Sequence, residues 1–313
     1  MRRKKHNLLW NIAFVLVIIG IGFFIYKASL RINYSWNWRA VPSYLVYKAE
    51  DEIDAPAPGI VEGYKDGELI LKTEKNKILH IKVEHPILKK GAVVNEGDEL
   101  GYNTHYKAGP LLVGLYMTIK VSLVSIVMAL IIGLFTGLMR ISENPLFKNL
   151  STVYIELVRG TPLLVQIFIV YFFIGTLFSM TRFIAGAFAL AVFEGAYIAE
   201  IIRAGIQSIP RGQTEAALAL GMNYFQIMRY IIIPQAFKRV LPALAGQFIS
   251  LIKDSSLLSV ISLTELTKAG REVVASTFSP FEVWFTVAAL YFIVTYSLSL
   301  FDRYLERRLA GDE

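Results

Sequence analysis

Long apolar stretches separated by shorter polar segments dominate the pattern of this 313-residue chain. Each stretch can cross a hydrocarbon core about 30 Å thick, although the one before last is interrupted by polar residues. They lie at residues 8–26, 111–139, 152–178, 183–207, 237–262 and 282–302. The pattern predicts an all-α polytopic membrane protein with about six spans.

The composition supports this interpretation. Apolar residues make up 55% of the chain and charged residues only 18%, a balance that soluble domains of this length seldom show. In a soluble protein the net charge of +7 would suggest nucleic acid or acidic lipid as a partner. Here the cations cluster at span ends, where they orient helices and contact lipid headgroups, so no nucleic-acid partner is expected. The lack of cysteine excludes disulfides and thiol chemistry.

Charge placement predicts the orientation of the spans. Four cations precede the first apolar stretch, which lacks a small-residue cleavage site, so residues 1–30 are interpreted as a basic cytoplasmic start and an uncleaved anchor helix. Six crossings that begin in the cytoplasm also end there. Both termini and the basic segments 140–149, 211–229 and 303–308 are therefore expected on the cytoplasmic side.

Residues 31–108 form a polar segment that this orientation places outside the cytoplasm. From about 54 to 102 it consists of short alternating runs, GIVEG, ELILKT, KILHIKV and GAVV, separated by turn-forming glycines, which predicts a small β-domain. The pieces APAPGIV and GAVVNEGDEL resemble half-motifs of biotinyl and lipoyl domains. The Met-Lys dipeptide that would carry a prosthetic group is absent, so no cofactor is expected.

A charged segment between two apolar stretches, residues 210–235, has the pattern of a helix–turn–helix. Pro210 and Gly212 break the preceding span, and Thr214 is a candidate cap for a first short helix. Gly221 can take the left-handed conformation that ends a helix. A second helix is expected over residues 223–233, closed by Pro234.

The spacing of this segment is Glu-Ala-Ala, three residues, Gly, nine residues, Ile-x-Ile-Pro. It resembles the cytoplasmic signature of ATP-binding-cassette (ABC) importer permeases. Flanking motifs extend the resemblance over about 200 residues, from Gly109 to the end, and narrow it to polar-amino-acid permeases. These motifs are GTPLLVQ (160–166), AYIAEIIRAGI (196–206), IPRGQ (209–213), PQA (234–236) and LIKDSSL (251–257). Small departures are Ile233 for a usual Leu and Ser255 for a usual Thr; the anchor helix and outer insert are larger ones.

The resemblance implies a type I ABC importer transmembrane fold, with a five-span core at residues 109–313 and a β-rich extracytoplasmic insert. It implies a permease subunit for polar amino acids in the bacterial cytoplasmic (inner) membrane. The implied partners are an ABC ATPase dimer, a second permease subunit, identical or related, and an extracytoplasmic substrate-binding protein. The insert would be a spacer or a docking site for that protein. Residues 213–234 would couple to the ATPase, through Gln213, Glu215, Ala216, Ala217, Gly221, Ile231 and Pro234.

No GxxxxGK[ST] sequence occurs in the chain, so ATP is expected to be used by the partner subunit, and this chain is expected to be neither an enzyme nor a cofactor carrier. No paired-cysteine or HExxH pattern indicates a metal site. The alternative function is an ATP-independent channel or secondary transporter for small polar solutes, although the internal repeats typical of such transporters are not found.

Ionisable residues within spans mark candidate substrate contacts, because each needs a partner or an aqueous cavity. Glu194 could meet the ammonium group of an amino acid. A polar cluster in the span after the loop could meet the carboxylate, the amine and other polar groups, with pairing between helices as the alternative. This cluster comprises Lys253, Asp254, Ser255 and Ser256. Structural pairs are expected for Glu156 with Arg159 and for Glu200 with Arg203.

Overall fold

The computed structural model describes residues 2–31, 34–65 and 67–310. The first 39 residues form one compact unit, and the chain from Ala40 onward forms another. In the first unit a single helix, α1 (Arg2–Leu30), contains the segment Trp10–Leu30, which is long and apolar enough to cross a membrane. The large apolar side chains of this segment are exposed on all its sides, as in a helix surrounded by lipid.

The second unit begins with a short helix and a β-domain. A 3₁₀ turn (Trp38–Ala40) leads into α2 (Val41–Leu45). The strands that follow are β1 (Val46–Asp54), β2 (Gly59–Lys65), β3 (Glu68–Thr73), β4 (Ile78–Lys82), β5 (His85–Pro86), β6 (Val93–Val94) and β7 (Glu99–Ala108). The four alternating runs of the sequence are thus confirmed as β2, β3, β4 and β6. Strands β1 and β7 extend the domain beyond the predicted limits of about 54 and 102.

Two antiparallel sheets, ordered β1-β7-β5 and β4-β3-β2-β6, share one apolar core. Strand β1 pairs with β7 over nearly its whole length, from Val46 opposite Ala108 to Asp54 opposite Glu99. The ribbon starts at α2 and ends at Gly109, whose amide donates to the Leu45 carbonyl oxygen at 2.6 Å. Because α2 packs against later helices, the β-domain is attached to the helical core by two paired strands.

Helices make up most of the remaining described residues. They are α3 (Pro110–Ile141), α4 (Pro145–Arg159), α5 (Leu163–Phe168), α6 (Arg182–Gln207), α7 (Arg211–Ala219), α8 (Tyr224–Ile227), α9 (Ile233–Asp254), α10 (Leu266–Thr277) and α11 (Pro280–Ala310). π-Helical turns continue α5 (Ile169–Gly175) and join α8 to α9 (Met228–Ile232), and a 3₁₀ helix (Ser255–Ile261) follows α9. In the described residues five helical segments are long and apolar enough to span a membrane, or six with one bent pair.

Helices α3 and α6 form the centre of the bundle and run parallel. A Cβ on Gly133 would lie 2.4 Å from Ile198 Cγ2, and one on Gly137 would lie 3.0 Å from the Ala199 carbonyl oxygen. The missing side chains allow this approach, and the two glycines have the Gly-x-x-x-Gly spacing of close helix contacts in membranes. The later glycine of α3, Gly137, meets later residues of α6 than Gly133 does, so the two helices run in the same direction.

The predicted span 152–178 is not one straight helix. Helix α4 ends with Gly160 as its C-cap, and α5 begins after Pro162, with a bend of 106° between them. Proline lacks the amide hydrogen that would continue α4 and disfavours helical geometry in the preceding residue. The Thr161 hydroxyl donates to the Leu157 carbonyl oxygen at 2.9 Å and satisfies one of the acceptors that the break leaves free.

The end of the bundle that carries the β-domain has its own apolar cluster. Tyr44 of α2 packs with Leu111 of α3, Leu266 of α10 and Val283 of α11. Glu265 caps α10 by accepting hydrogen bonds from the amides of Thr267 and Lys268 at 2.7 and 2.8 Å. The β-domain is therefore fixed to the ends of three helices at once.

Candidate functional site

The segment between α6 and α9 folds as two short helices joined by a tight turn. Helix α7 begins at Arg211, directly after Pro210, whose extended backbone stands at the N-cap without a side-chain hydrogen bond. The expectation that Thr214 caps this helix is wrong. Thr214 lies in the fourth helical position, because the break at Pro210 lets the helix start four residues earlier.

Gly221 ends α7 in the left-handed conformation that the sequence predicted, with φ of +78°. The Gly221 amide donates to the Leu218 carbonyl oxygen at 2.9 Å, and the Met222 amide donates to the Ala217 carbonyl oxygen at 3.1 Å. These two bonds form a Schellman motif, which satisfies carbonyl groups at the helix end. The turn is therefore fixed by the backbone conformation of one glycine.

The second helix starts with a capping box and does not stop where the sequence predicted. The Asn223 side chain accepts from the Gln226 amide, and the Gln226 side chain accepts from the Asn223 amide. Helix α8 then passes through π-helical turns into α9, so Pro234 does not close a helix. It lies in the first turn of α9, after the π-helical turns have shifted the register of the backbone hydrogen bonds. At this position the amide hydrogen that proline lacks is not needed for a helical hydrogen bond.

One side of this pair of helices is anchored and the other is free. Ala217 is almost fully buried and packs with Ile209, Ile227, Ile232 and Ala236, with Ile231 at the edge of this cluster. Gln213, Glu215, Ala216 and Pro234 are exposed. Exposed apolar side chains surround them on α7, on the turn and on the second helix, namely Leu218, Leu220, Tyr224, Phe225 and Tyr230. The exposed side is therefore an apolar surface with a polar rim, as protein-binding surfaces are.

A second candidate site lies inside the bundle, between α6 and α9. Glu194 is fully buried, and its Oε2 accepts a hydrogen bond from the Gln247 amide nitrogen. The half-buried Asp254 carboxylate lies close enough to interact with Glu194, whose Oε1 has no hydrogen-bond partner among the described residues. Sequence reasoning missed Gln247. Its position seven residues before Asp254, two helical turns along the same face, was the available signal.

The remaining members of the polar cluster, at the end of α9 and in the 3₁₀ helix after it, face elsewhere. Lys253 and Ser256 line a separate cavity of about 320 Å³ with Thr267, Trp284 and Tyr291. The buried Ser255 hydroxyl donates to the Ile252 carbonyl oxygen at 2.7 Å. The structure thus brings Asp254 to Glu194, but it directs Lys253 and Ser256 toward α10 and α11.

Glu200 organises the charges at the other end of α6. Its carboxylate is held by Arg203, with Nη2 at 2.7 Å and Nε at 3.1 Å from Oε2, which confirms the expected pair. Arg159 does not pair with Glu156 as expected. The guanidinium of Arg159 lies over the Tyr197 ring and 4.0 Å from Glu200, because the end of α4 packs against α6.

Comparison with known proteins places these features in a family. The sequence model described as "Binding-protein-dependent transport system inner membrane component" matches residues 129–311. The glutamine transport system permease protein GlnP of Escherichia coli (strain K12) is 40% identical over 215 residues, which are 67% of this chain and 98% of that protein. The arginine transport system permease protein ArtQ of Bacillus subtilis (strain 168) is 36% identical over 205 residues, covering 65% and 94% respectively.

Solved structures give the same result. An amino acid ABC transporter crystallised with histidines is 42% identical, has a TM-score of 0.60, and is matched over 64% of this chain and 94% of its own. An inward-facing form of the methionine ABC transporter MetNI has a TM-score of 0.58 at 21% identity, with coverage of 64% and 96%, and supports the fold alone.

Proposed function

Since this chain belongs to the family of binding-protein-dependent transport system inner membrane components, we propose that it is the permease subunit of an ABC importer for polar amino acids. Its helical core has the type I ABC importer transmembrane fold. Relatives named for glutamine and arginine transport support the substrate class. Energy comes from a separate ATPase subunit, and substrate comes from a substrate-binding protein.

The observation that carries the coupling role is the rigid pair α7 and α8. Its inner side packs on the ends of α6 and α9, and its outer side exposes apolar and polar residues. A groove in the ATPase that takes this outer side can move both helices without deforming the turn. Gln213, Glu215 and Ala216 contact the ATPase, while Ala217, Gly221, Ile231 and Pro234 maintain the shape of the pair.

The buried Glu194 and the partly buried Gln247 and Asp254 form the amino-acid site. Carboxylates inside a span are costly unless a partner or a water-filled path accompanies them, so a substrate ammonium group is a fitting partner. Lys253, Ser255 and Ser256 belong to the same helix segment. Lys253 reaches the site from the neighbouring cavity when the helices move, and there it meets the substrate carboxylate.

The orientation follows from this assignment. The coupling pair lies in the cytoplasm, so α6 runs inward and α9 runs outward, with both termini of the chain inside. The β-domain, attached to α2, α10 and the start of α3, then lies outside the cytoplasm. Two such permeases, identical or related, bind to an ATPase dimer. ATP binding favours one conformation of the helical bundle, and substrate favours a different one.

The test uses the chain purified with its ATPase and reconstituted with its binding protein. Gly221→Pro and Glu215→Lys should abolish the stimulation of ATP hydrolysis by amino acid, with membrane insertion intact. The matched control is Glu306→Lys, an exposed charge reversal on α11 far along the chain from the coupling pair. Normal stimulation in both coupling variants would refute the coupling role.

The second candidate function, an ATP-independent channel or secondary transporter, makes the opposite prediction. No ATPase would co-purify from native membranes, and uptake would continue without one. The exposed apolar surface on α7 and α8 favours the ABC assignment, because a loop without a partner gains nothing from exposing it.

A further inference from the structure

Three guanidinium groups converge on one carboxylate at the end of the bundle where α3, α4 and α6 meet. Arg203 takes both oxygens of Glu200, with its Nε at 3.2 Å from Oε1 and 3.1 Å from Oε2. The Gln207 side chain accepts a further bond from Arg203 at 2.6 Å. The acceptor capacity of Glu200 is therefore largely used by Arg203.

Arg140 and Arg159 are held much less firmly. The Nε of Arg140 lies 3.7 Å from Glu200, and the nearest nitrogen of Arg159 lies 4.0 Å away, both beyond hydrogen-bond distance. Among the described residues neither guanidinium has another ion-pair partner, and Glu143 and Glu156 form no ion pair. The Arg159 guanidinium also lies over the Tyr197 ring, 5.4 Å from its centroid, a contact that uses none of its N–H donors.

The unused donors have a definite chemical preference. Each guanidinium is a planar fork that matches two oxygens of a phosphate, and two forks beside one occupied carboxylate leave a surplus of positive charge. Arg140 belongs to the last turn of α3, so the cluster lies near a membrane surface. Basic pockets between helices at such a surface bind phosphate headgroups.

Helix α4 adds contact with acyl chains. Its exposed residues Leu146, Leu150, Val153 and Leu157 recur every three or four positions and form one apolar stripe, while Ile155 and Val158 pack against the bundle. The stripe places α4 at the periphery, and Arg159 ends that helix. A lipid whose chains cover the stripe would have its headgroup at this end of the bundle.

We propose that Arg140 and Arg159 form a phosphate-binding site, occupied by the headgroup of an anionic phospholipid, that ties α3 and α4 to α6. The proposal requires that the chain spans a membrane, and it does not depend on which solute is carried. A free phosphate ion shares the same chemistry, so the test must separate the two sources.

The experiment measures lipid binding to the full chain, purified with its ATPase in detergent, by native mass spectrometry. Dioleoyl phosphatidylglycerol and dioleoyl phosphatidylcholine are titrated separately, each with and without inorganic phosphate. We expect tighter binding of phosphatidylglycerol, and a loss of at least about tenfold in Arg140→Gln/Arg159→Gln. The binding free energy of each bidentate contact exceeds the 1.4 kcal/mol that corresponds to a tenfold change in Kd.

The matched control is Arg303→Gln, because the Arg303 guanidinium also lies over a tyrosine ring, 5.7 Å from the centroid of Tyr296, but outside the cluster. Arg140→Lys/Arg159→Lys keeps both charges without the forks and should lose affinity partially, which keeps the test valid if the glutamine variant does not fold. Unchanged affinity in the double variants, or an equal loss in the control, overturns the proposal. Complete displacement of phosphatidylglycerol by millimolar phosphate would show that the two arginines bind an anion. It would also show that the lipid is not the occupant of the site.

Discussion

The turn at Gly221 allows the coupling role to be tested by backbone conformation alone. Its φ of +78° lies in the left-handed region, yet a Cβ built on Gly221 would meet nothing within 4 Å. A substitution there therefore adds no clash and acts only through the backbone. An ordinary L-residue in this conformation costs about 1–2 kcal/mol, a β-branched one costs more, and Asn costs least.

We therefore expect a graded series at this position. In Gly221→Asn the Schellman bonds to Leu218 and Ala217 should persist, and coupling should be close to normal. Gly221→Ala should be intermediate, because about 1–2 kcal/mol lowers the population of the native turn by about fivefold to thirtyfold, and Gly221→Val should lower it further. The assay is ATP hydrolysis by the reconstituted complex, with and without loaded binding protein. Equal coupling in Asn and Val variants would refute the reasoning, as would a total loss in Asn.

Three further predictions concern other parts of the chain. Gly133→Val should lower the midpoint of thermal unfolding, followed by circular dichroism, because overpacking at the α3–α6 contact costs about 1–3 kcal/mol, whereas Gly246→Ala, with open space around it, should not. Glu194→Gln should change the preference order in an amino-acid uptake panel; an unchanged order would remove Glu194 from the site. Hydrogen bonds from the Thr104 amide and hydroxyl lower the pKa of Glu84 below its ordinary 4.5. The stabilisation that the ionised Glu84 carboxylate gives the folded β-domain is complete above that value. It is lost as the pH falls through the lowered pKa. Acid-dependent pepsin cleavage of the β-domain should therefore begin at higher pH in Glu84→Gln than in the wild type.

Hydropathy and glycine positions were enough to predict much of the fold. The long apolar stretches correspond to helices, and the four alternating runs correspond to strands. The left-handed Gly221 follows from the lack of a side chain at a helix end. The Gly133-x-x-x-Gly137 spacing is itself a sequence signal for the close contact between α3 and α6.

The errors share a physical cause, which is that local signals cannot determine where a helix or a strand extends. Pro234 looks like a helix end, but π-helical turns before it provide a place for a residue without an amide hydrogen. Strand β1 was missed because its charged sequence lacks alternation, and its pairing with β7 supplies the missing information.

The candidate sites were predictable only in their residue types. Spacing along α9 could not reveal that Asp254 approaches Glu194 while Lys253 lines another cavity. Likewise, the spacing of Glu156 and Arg159 suggested a pair within one helix. The packing of α4 on α6 instead brings Arg159 to Glu200.

The central claim is that this chain is an amino-acid permease driven by a separate ATPase. The most direct measurement is uptake of a labelled polar amino acid into proteoliposomes that contain the chain with its ATPase subunit and the binding protein outside. We predict accumulation that requires enclosed ATP and is lost in Gly221→Val. Equal accumulation without ATP or without the ATPase subunit would contradict the claim.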